Sequence, residues 1–336
     1  MSGGRVRTRR AALGLALTVA AATALTGCSA LGSDSSNASS TGGGGLEKTK
    51  IKVAILPTVD TVPLWLAQEG GYFKAEGLDV EAVTAASGQA AMTKTISGEA
   101  DIAISSYMPF FVAKSTGAAD LQFVSDATSI SSKSVAIVTV PNSPVKTIKD
   151  LEGKRLAMTA KNTASDLLAK SQMKDHGVNI DKVTWVPMPF PNVAAALAGG
   201  QVDAALLPEP FLSQAAKSAG AIPVVDVNTG ATQDFPLSGY ASTRKWVQAN
   251  PKTLAAFQRA MAKASSDTTN DRSKIEPILV KYAKIDEGTA KLLNLPAFVS
   301  KLDPRRLQRV PDLMLQMGAI TSPVDAASMI APQATN

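Results

Sequence analysis

Ser97-Gly98-Glu99-Ala100-Asp101-Ile102-Ala103 and Gly199-Gly200-Gln201-Val202-Asp203-Ala204-Ala205 are two versions of one phrase, and their aspartates stand 102 residues apart. Each reads as a helix leaving at glycine, an aspartate in the turn, and a short apolar run that makes a buried strand. Gly77 and Gly177, 100 residues apart, each open a segment leading into a strand. Before the first phrase, residues 50–57 (K-I-K-V-A-I-L-P) read as a strand stopped by proline. A helix follows Asp60 or Thr61, with Pro63 in its first turn, and ends near Gly70 and Gly71. Residues 78–83 read as a strand, and Ser87 can cap a helix ending near Gly98. Strand 101–105, helix 109–116 and strand 121–125 complete the first unit.

The second unit repeats this order. Residues 154–159 read as a strand, and Thr163 can cap a helix over 164–175. Gly177 precedes strand 183–187, Asn192 can cap a helix over 193–198, and residues 203–207 form a strand. Helix 210–218 and strand 223–227 follow. Two similar βαβαβ lobes are therefore predicted, each a mainly parallel sheet flanked by helices. After Tyr240, residues 244–248, 252–265, 275–283, 287–293 and 305–317 read as helices, and no strand series remains for a third sheet. Asn250-Pro251 and Asp303-Pro304 look like a cap followed by proline at the first helical position. These helices are predicted to pack on the first lobe. Strand-like residues 133–140 and 237–243 flank the second unit and read as crossovers, a double connection that permits hinge closure. The first lobe then covers 50–135, the second 136–236, and residues 237–336 return to the first.

Composition agrees. A chain of 336 residues suggests two domains at roughly 100–200 residues each. Hydrophobic residues at 45% against 18% charged can fill a core, so the bulk is globular rather than disordered. One Cys forbids an internal disulfide. One His rules out a His-rich metal cluster and leaves a single candidate for any His-dependent nucleophile. No metal and no cofactor is predicted.

The net charge of +6 sits largely in a leader. Arg5, Arg7, Arg9 and Arg10 precede a 15-residue apolar run over 11–25, and no acid appears before Asp34. Without those four arginines the body is near +2, with no dense Lys/Arg block, so nucleic acid is not a predicted partner. The apolar run is shorter than the about 20 residues of a membrane span, so residues 1–27 read as a cleaved signal. Leu25-Thr26-Gly27-Cys28 resembles a bacterial lipoprotein lipobox, which implies cleavage before Cys28 and lipid attachment to its thiol. Thr8-Arg9-Arg10 resembles a twin-arginine signal, which leaves two export routes open. Residues 28–49 then hold the lipidated Cys and a tether. Its Ser/Gly-rich part, 29–45, has one charge and reaches about 20–25 Å as a coil, at roughly 5–6 Å × √n.

In the body, Pro63-Leu64-Trp65-Leu66-Ala67, Gly71-Tyr72-Phe73 and Glu76-Gly77-Leu78-Asp79-Val80 lead into the first repeat phrase. Asp150-Leu151-Glu152-Gly153-Lys154 and Glu209-Pro210-Phe211 bracket the second. In this order and spacing, residues 51–296 resemble the solute-binding proteins of ATP-driven importers, in the nitrate/taurine/alkanesulfonate and thiamine-pyrimidine-precursor group. The resemblance implies a two-lobed, periplasmic-binding-protein-like α/β fold (a Venus flytrap) closing on a small-molecule solute. It also implies an ABC permease as partner. With the lipobox, it implies a monomer anchored by lipid to the cell membrane and facing outward.

In open α/β sheets, ligands lie beyond the carboxyl ends of strands, and helix N-termini there suit an anion. Four loops qualify. The first offers Thr58 and Asp60; the second Ser87, Gly88 and Gln89; the third Lys161, Asn162 and Thr163; the fourth Phe190 and Asn192. The strand end Ser105-Ser106-Tyr107 adds Ser106 and Tyr107, and Glu209 follows a strand of the second lobe. Ser87, Thr163 and Asn192 can equally be helix caps alone. Tyr107 and Phe190 can stack on a solute. Trp65 reads as core, Asp101 and Asp203 as turn residues at the far ends of the strands, and His176 as a helix-end residue. Hydroxyl-rich loops with Lys161 as sole cation point to a small organic anion, sulfonate-like or taurine-like. A pyrimidine or other amine-bearing solute, held by Asp60 or Glu209 with aromatic stacking, is the alternative. Asp60 and Glu209 could also serve an enzyme as an acid/base pair, and a pyrimidine-forming enzyme shares the resembling fold, but that enzyme works inside cells and no nucleophile motif or metal cluster appears. No catalysis is predicted; a surface sensor is a third possibility.

Overall fold

The computed structural model describes residues 45–334. The leader, Cys28 and the tract to residue 44 lie outside the described residues. The chain runs β1 (Lys50–Ile55), α1 (Val62–Glu69), α2 (Tyr72–Ala75), β2 (Asp79–Thr84), α3 (Gly88–Ile96), β3 (Ile102–Ser106), α4 (Tyr107–Ser115) and β4 (Leu121–Ser129). It continues through β5 (Val135–Thr139), β6 (Arg155–Met158), α5 (Ala164–Asp175), β7 (Thr184–Pro187), α6 (Phe190–Ala198), β8 (Ala204–Pro208), α7 (Phe211–Ala219) and β9 (Ile222–Asp226). Last come β10 (Pro236–Thr243), α8 (Arg244–Ala249), α9 (Pro251–Asn270), α10 (Ile275–Ile278), α11 (Glu287–Leu292), β11 (Ala297–Phe298) and α12 (Pro304–Gln316).

Two sheets result, one ordered β11-β4-β10-β3-β1-β2 and one β7-β6-β8-β5-β9. The parallel βαβ core is present in each: β1 pairs in parallel with β2 and β3, and β6 with β7 and β8. Antiparallel strands extend both, so both sheets are mixed. The added strands are the ones that carry the chain between sheets. β10 lies antiparallel between β4 and β3, and β5 lies antiparallel between β8 and β9. The segments expected as crossovers are thus interior strands, and the crossings are the short links 130–134 and 227–235.

The repeat in the sequence is also a repeat in hydrogen bonding. The Asp101 amide donates to Lys52 O at 2.8 Å, and its Oδ2 accepts from the Lys52 amide at 2.8 Å. The Asp203 amide donates to Arg155 O at 2.8 Å, and its Oδ2 accepts from the Arg155 amide at 2.8 Å. Each aspartate pins the start of its strand to the start of the neighbouring one, away from the carboxyl ends.

The C-terminal helices pack on the first sheet. Phe73, Tyr240 and Phe257 fill the layer under α9, and Phe110, Phe111 and Phe123 fill the opposite face with Leu307 and Val310 of α12. A two-residue strand, β11, adds an unexpected edge beside β4. The expected tether ends earlier than residue 49: the Glu47 carboxylate accepts from the amides of Lys252 and Thr253 at 3.1 and 2.9 Å. That carboxylate meets the positive end of α9, where the first-turn N–H groups have no partner within the helix. Among the described residues, no helix is long and apolar enough to cross a membrane.

Candidate functional site

The carboxyl ends of β1 and β3 face those of β6 and β8 across a cleft of about 580 Å³, its open mouth included. One wall is Thr58, Asp60, Gly88, Ser105 and Ser106. The other is Thr159, Thr163, Ala164, Ser165 and Phe190, and Leu56, Ile104, Leu168 and Leu206 add apolar surface. No Lys or Arg lines it among the described residues.

The first wall is built by close packing at the start of α3. Ser87 caps that helix, its Oγ accepting from the Ala90 amide at 3.1 Å. Its side chain is therefore committed to the helix and does not line the cleft. Gly88 does line it, and packs so tightly on β3 that a Cβ there would lie 2.1 Å from Ser105 Oγ. The Ser105 hydroxyl is buried, lines the cleft and has no hydrogen-bond partner. Ser106 Oγ accepts from the Ala164 amide at 3.2 Å, a direct bond between the two lobes. Gln89 is exposed and stays outside.

On the second wall, Thr163 stands at the N-cap position of α5, as expected, but its hydroxyl does not cap the helix. It donates to Ala160 O at 2.8 Å and lies 3.0 Å from Ser165 Oγ and 3.2 Å from Thr159 Oγ1. Three hydroxyls thus cluster at the N-terminus of a 12-residue helix. Asn162 holds this loop from behind: it is left-handed, with φ 59°, and its amide donates to Asp166 Oδ2 at 2.8 Å. Lys161 is exposed and does not line the cleft. α6 begins at Phe190 rather than 193, since Pro191 in its first turn needs no N–H partner. Phe190 therefore sits in the wall, while Asn192 is an exposed first-turn residue rather than a cap.

The two carboxylates part company. Asp60 lines the cleft, accepting from Thr58 Oγ1 at 3.3 Å and Thr128 Oγ1 at 3.2 Å. Burial pushes its pKa up to about 6, and these hydroxyls offset only part of the shift. Glu209 is fully buried but turns into α7, accepting from the amide and hydroxyl of Ser213 at 3.1 and 2.8 Å. Burial raises its pKa as well. The acid/base pair considered from the sequence is not assembled.

Tyr107 is also a correction. α4 starts at this residue, so its side chain turns under the sheet and is fully buried. Its hydroxyl donates to Asp126 Oδ1 at 2.7 Å, Arg306 bonds the same carboxylate, and the ring meets Phe123 edge-on at 4.9 Å. Gly239 makes the room, since a Cβ there would lie 2.4 Å from the Tyr107 hydroxyl. Trp65, expected in the core, is half-buried and stacks on Tyr282 at 3.9 Å in a neighbouring hollow. His176 closes α5 as expected, with Nδ1 2.8 Å from Gln172 O. The sequence reading missed Thr159 and Ser165, although hydroxyls at 159, 163 and 165 around one helix start are a readable signal.

A family model described as NMT1/THI5 like matches residues 58–274, which include every cleft residue except Leu56. The putative binding protein YtlA of Bacillus subtilis (strain 168) is 25% identical over 231 residues, 67% of this chain and 68% of that protein. A putative aliphatic sulfonates-binding protein of Escherichia coli (strain K12) is 25% identical over 225 residues, 66% of each. Among solved structures, the alkanesulfonate-binding protein SsuA of Xanthomonas axonopodis pv. citri, bound to MOPS, superposes with a TM-score of 0.72. The match is 19% identical and covers 86% of this chain and all of that one. The desulfurization enzyme DSZB superposes with a TM-score of 0.64 at 16% identity, covering 85% of this chain and 97% of that one. Likeness at such identities carries the fold and not the chemistry.

Proposed function

The chain belongs to the NMT1/THI5-like family and has the two-lobed fold of periplasmic binding proteins, and from that premise we propose that it captures a small organic anion, sulfonate-like, and delivers it to an ABC importer. The observation that carries this reading is the wall of hydroxyls, Ser105 and Ser106 at the end of β3 opposite Thr159, Thr163 and Ser165 around the start of α5. Sulfonate oxygens are weakly basic acceptors, best held by many neutral donors and helix N-termini. Donors come from both lobes, so a bound solute favours the closed arrangement over the open one. In this reading residues 1–27 are removed on export and Cys28 carries the lipid. The tether then lets a monomeric body work at the outer face of the membrane. The solute leaves unchanged, which fits a cleft whose two candidate carboxylates do not meet.

A second reading, a pyrimidine or similar flat heterocycle, is favoured by Phe190 in the wall, backed by Phe211 at 5.3 Å. Calorimetric titration of the full chain with alkanesulfonates, taurine, nitrate and hydroxymethylpyrimidine separates the two. Saturable heat with a sulfonate is expected. Heat with the pyrimidine and none with any sulfonate would move the assignment to the second reading.

A further inference from the structure

Asp60 is the one ionisable side chain lining the cleft among the described residues, and no Lys or Arg lines the cleft to face it. Its partners are neutral hydroxyls. Thr58 Oγ1 donates to Oδ2 at 3.3 Å, Thr128 Oγ1 on β4 donates to Oδ1 at 3.2 Å, and the Ser238 hydroxyl on β10 bonds the same carboxyl group. Thr128 and Ser238 are themselves 2.7 Å apart, and either can donate to the other. A hydroxyl oxygen accepts as well as donates, so this shell serves a neutral carboxylic acid as readily as a carboxylate. The charged groups on the surrounding elements are committed elsewhere. Asp126 on β4 pairs with Arg306 of α12, Glu69 on α1 with Lys281, and Glu276 on α10 with Arg272. Glu209 of the other lobe turns into α7. Tyr240 on β10 has a buried hydroxyl without a partner, and burial and the Asp60 charge hold its phenol neutral. Among the hydroxyls that line the cleft, Thr163 donates to Ala160 O, whereas Ser105 Oγ, in a residue only 3% exposed, has no partner and is free to donate to a solute.

An anion on these hydroxyls shares one enclosed space with the Asp60 carboxylate. Two negative charges in such a space repel, and the weaker acid of the two takes up a proton. Resting on the sulfonate reading above, we infer that capture of the anion is coupled to uptake of one proton, with Asp60 ionised in the empty cleft at neutral pH and a neutral carboxylic acid in the filled one. The proton comes from solvent and returns there when the solute leaves. The acid form removes the repulsion without any cation and adds an O–H donor to the cleft. Burial already pushes this carboxyl up to about 6 before a solute arrives, so only a modest further push neutralises it. Asp60 thereby sets how tightly the cleft holds an anion at a given pH, and the hold is stronger on the acid side of neutrality.

The test is a titration of the full chain by calorimetry with ethanesulfonate, whose own charge does not change over the range used. Bis-tris and Tris, two amine buffers of different ionisation enthalpy, are compared at about pH 7, and the difference in heat counts the protons taken up. Between about half a proton and one proton per bound ethanesulfonate is expected, with binding about tenfold weaker at about pH 8 than at about pH 5.5. In Asp60→Asn, which keeps the shape and cannot titrate, the proton uptake and the pH dependence are both expected to vanish. Ethanesulfonate bound equally at both pH values with no proton uptake in the unmodified chain would overturn the coupling and leave the sulfonate reading standing. Uptake that persists in Asp60→Asn would place the proton on another group and overturn it too. No saturable binding at either pH would overturn the sulfonate reading, and the coupling with it. The measurements on the unmodified chain need no variant, so a misfolded substitution cannot obscure the result.

Discussion

A methyl group added at Gly88 and one added at Gly239 meet obstacles of different kinds. At Gly88 the obstacle is Ser105 Oγ, a small group that can rotate away. Gly88→Ala is expected to keep the fold, costing about 1 kcal/mol, while driving the Ser105 hydroxyl out of the cleft wall. Solute affinity should drop about tenfold by calorimetry, with the melting temperature lowered by about 2–4 °C. At Gly239 the obstacle is the Tyr107 ring, pinned by Asp126 and Phe123, which has nowhere to go. Gly239→Ala should cost about 3 kcal/mol in denaturant unfolding and lower the melting temperature far more. Asp60 gives a pH signature. The folded chain holds that proton more tightly than the unfolded chain does, so its contribution to stability declines as pH rises from about 4 to about 6 and is absent above. The loss is on the order of 2–3 kcal/mol. Asp60→Asn should therefore raise the melting temperature of the solute-free chain above pH 6 and flatten its profile between 4 and 6. An unchanged profile would mean that the carboxylate already has a cation.

Among the elements, the twin aspartates show what repetition in sequence can reveal. Asp101 accepts from Lys48 Nζ and Trp246 Nε1 as well as from the Lys52 amide, while Asp203 accepts from the Arg155 amide and guanidinium. Either substitution to Ala leaves a strand amide, that of Lys52 or of Arg155, without its carboxylate partner at a partly buried position. It should cost about 1–3 kcal/mol, more at Asp101, with solute affinity unchanged. The element order around these aspartates was legible because each capping or glycine signal acts within a few residues. Strand direction was not: β5 and β10 read correctly as strands, yet their antiparallel place inside the two sheets is set by long-range pairing with β8/β9 and β3/β4, which no local signal announces. The site was half-legible for the same reason. Thr58, Asp60, Gly88, Ser106, Thr163 and Phe190 face the cleft because they follow strand ends. Tyr107 follows one too, but α4 starts there with no side-chain cap to announce it, and one residue of helix turns the ring into the core.

Among the described residues, polar bonds between the lobes include Arg309 donating to the carbonyls of Ala231, Gln233 and Asp234 and the Asn294 amide on the Glu209 carboxylate. Ser106 Oγ takes the Ala164 amide at 3.2 Å, and the Val59 amide reaches Glu209 O at a long 3.5 Å. On the outer side Gln214 Nε2 donates to Ala283 O at 3.4 Å, and Lys217 pairs with Asp286 at 2.7 Å. That ion pair is exposed, and exposed pairs contribute about 0–1 kcal/mol. Most of these contacts are long or solvent-facing, and the cleft mouth itself is spanned by the Ser106 bond. A solute bonded by both walls adds to that span, and its preference for the closed form sets how far the population shifts. Solution scattering should then give a larger radius for the solute-free chain and a smaller one at saturation. Lys217→Ala should leave the saturated radius unchanged. Ser106→Ala, which removes a bond spanning the cleft itself, should raise the solute concentration needed to reach it. A radius that does not move between empty and saturated protein would count against closure as the means of capture.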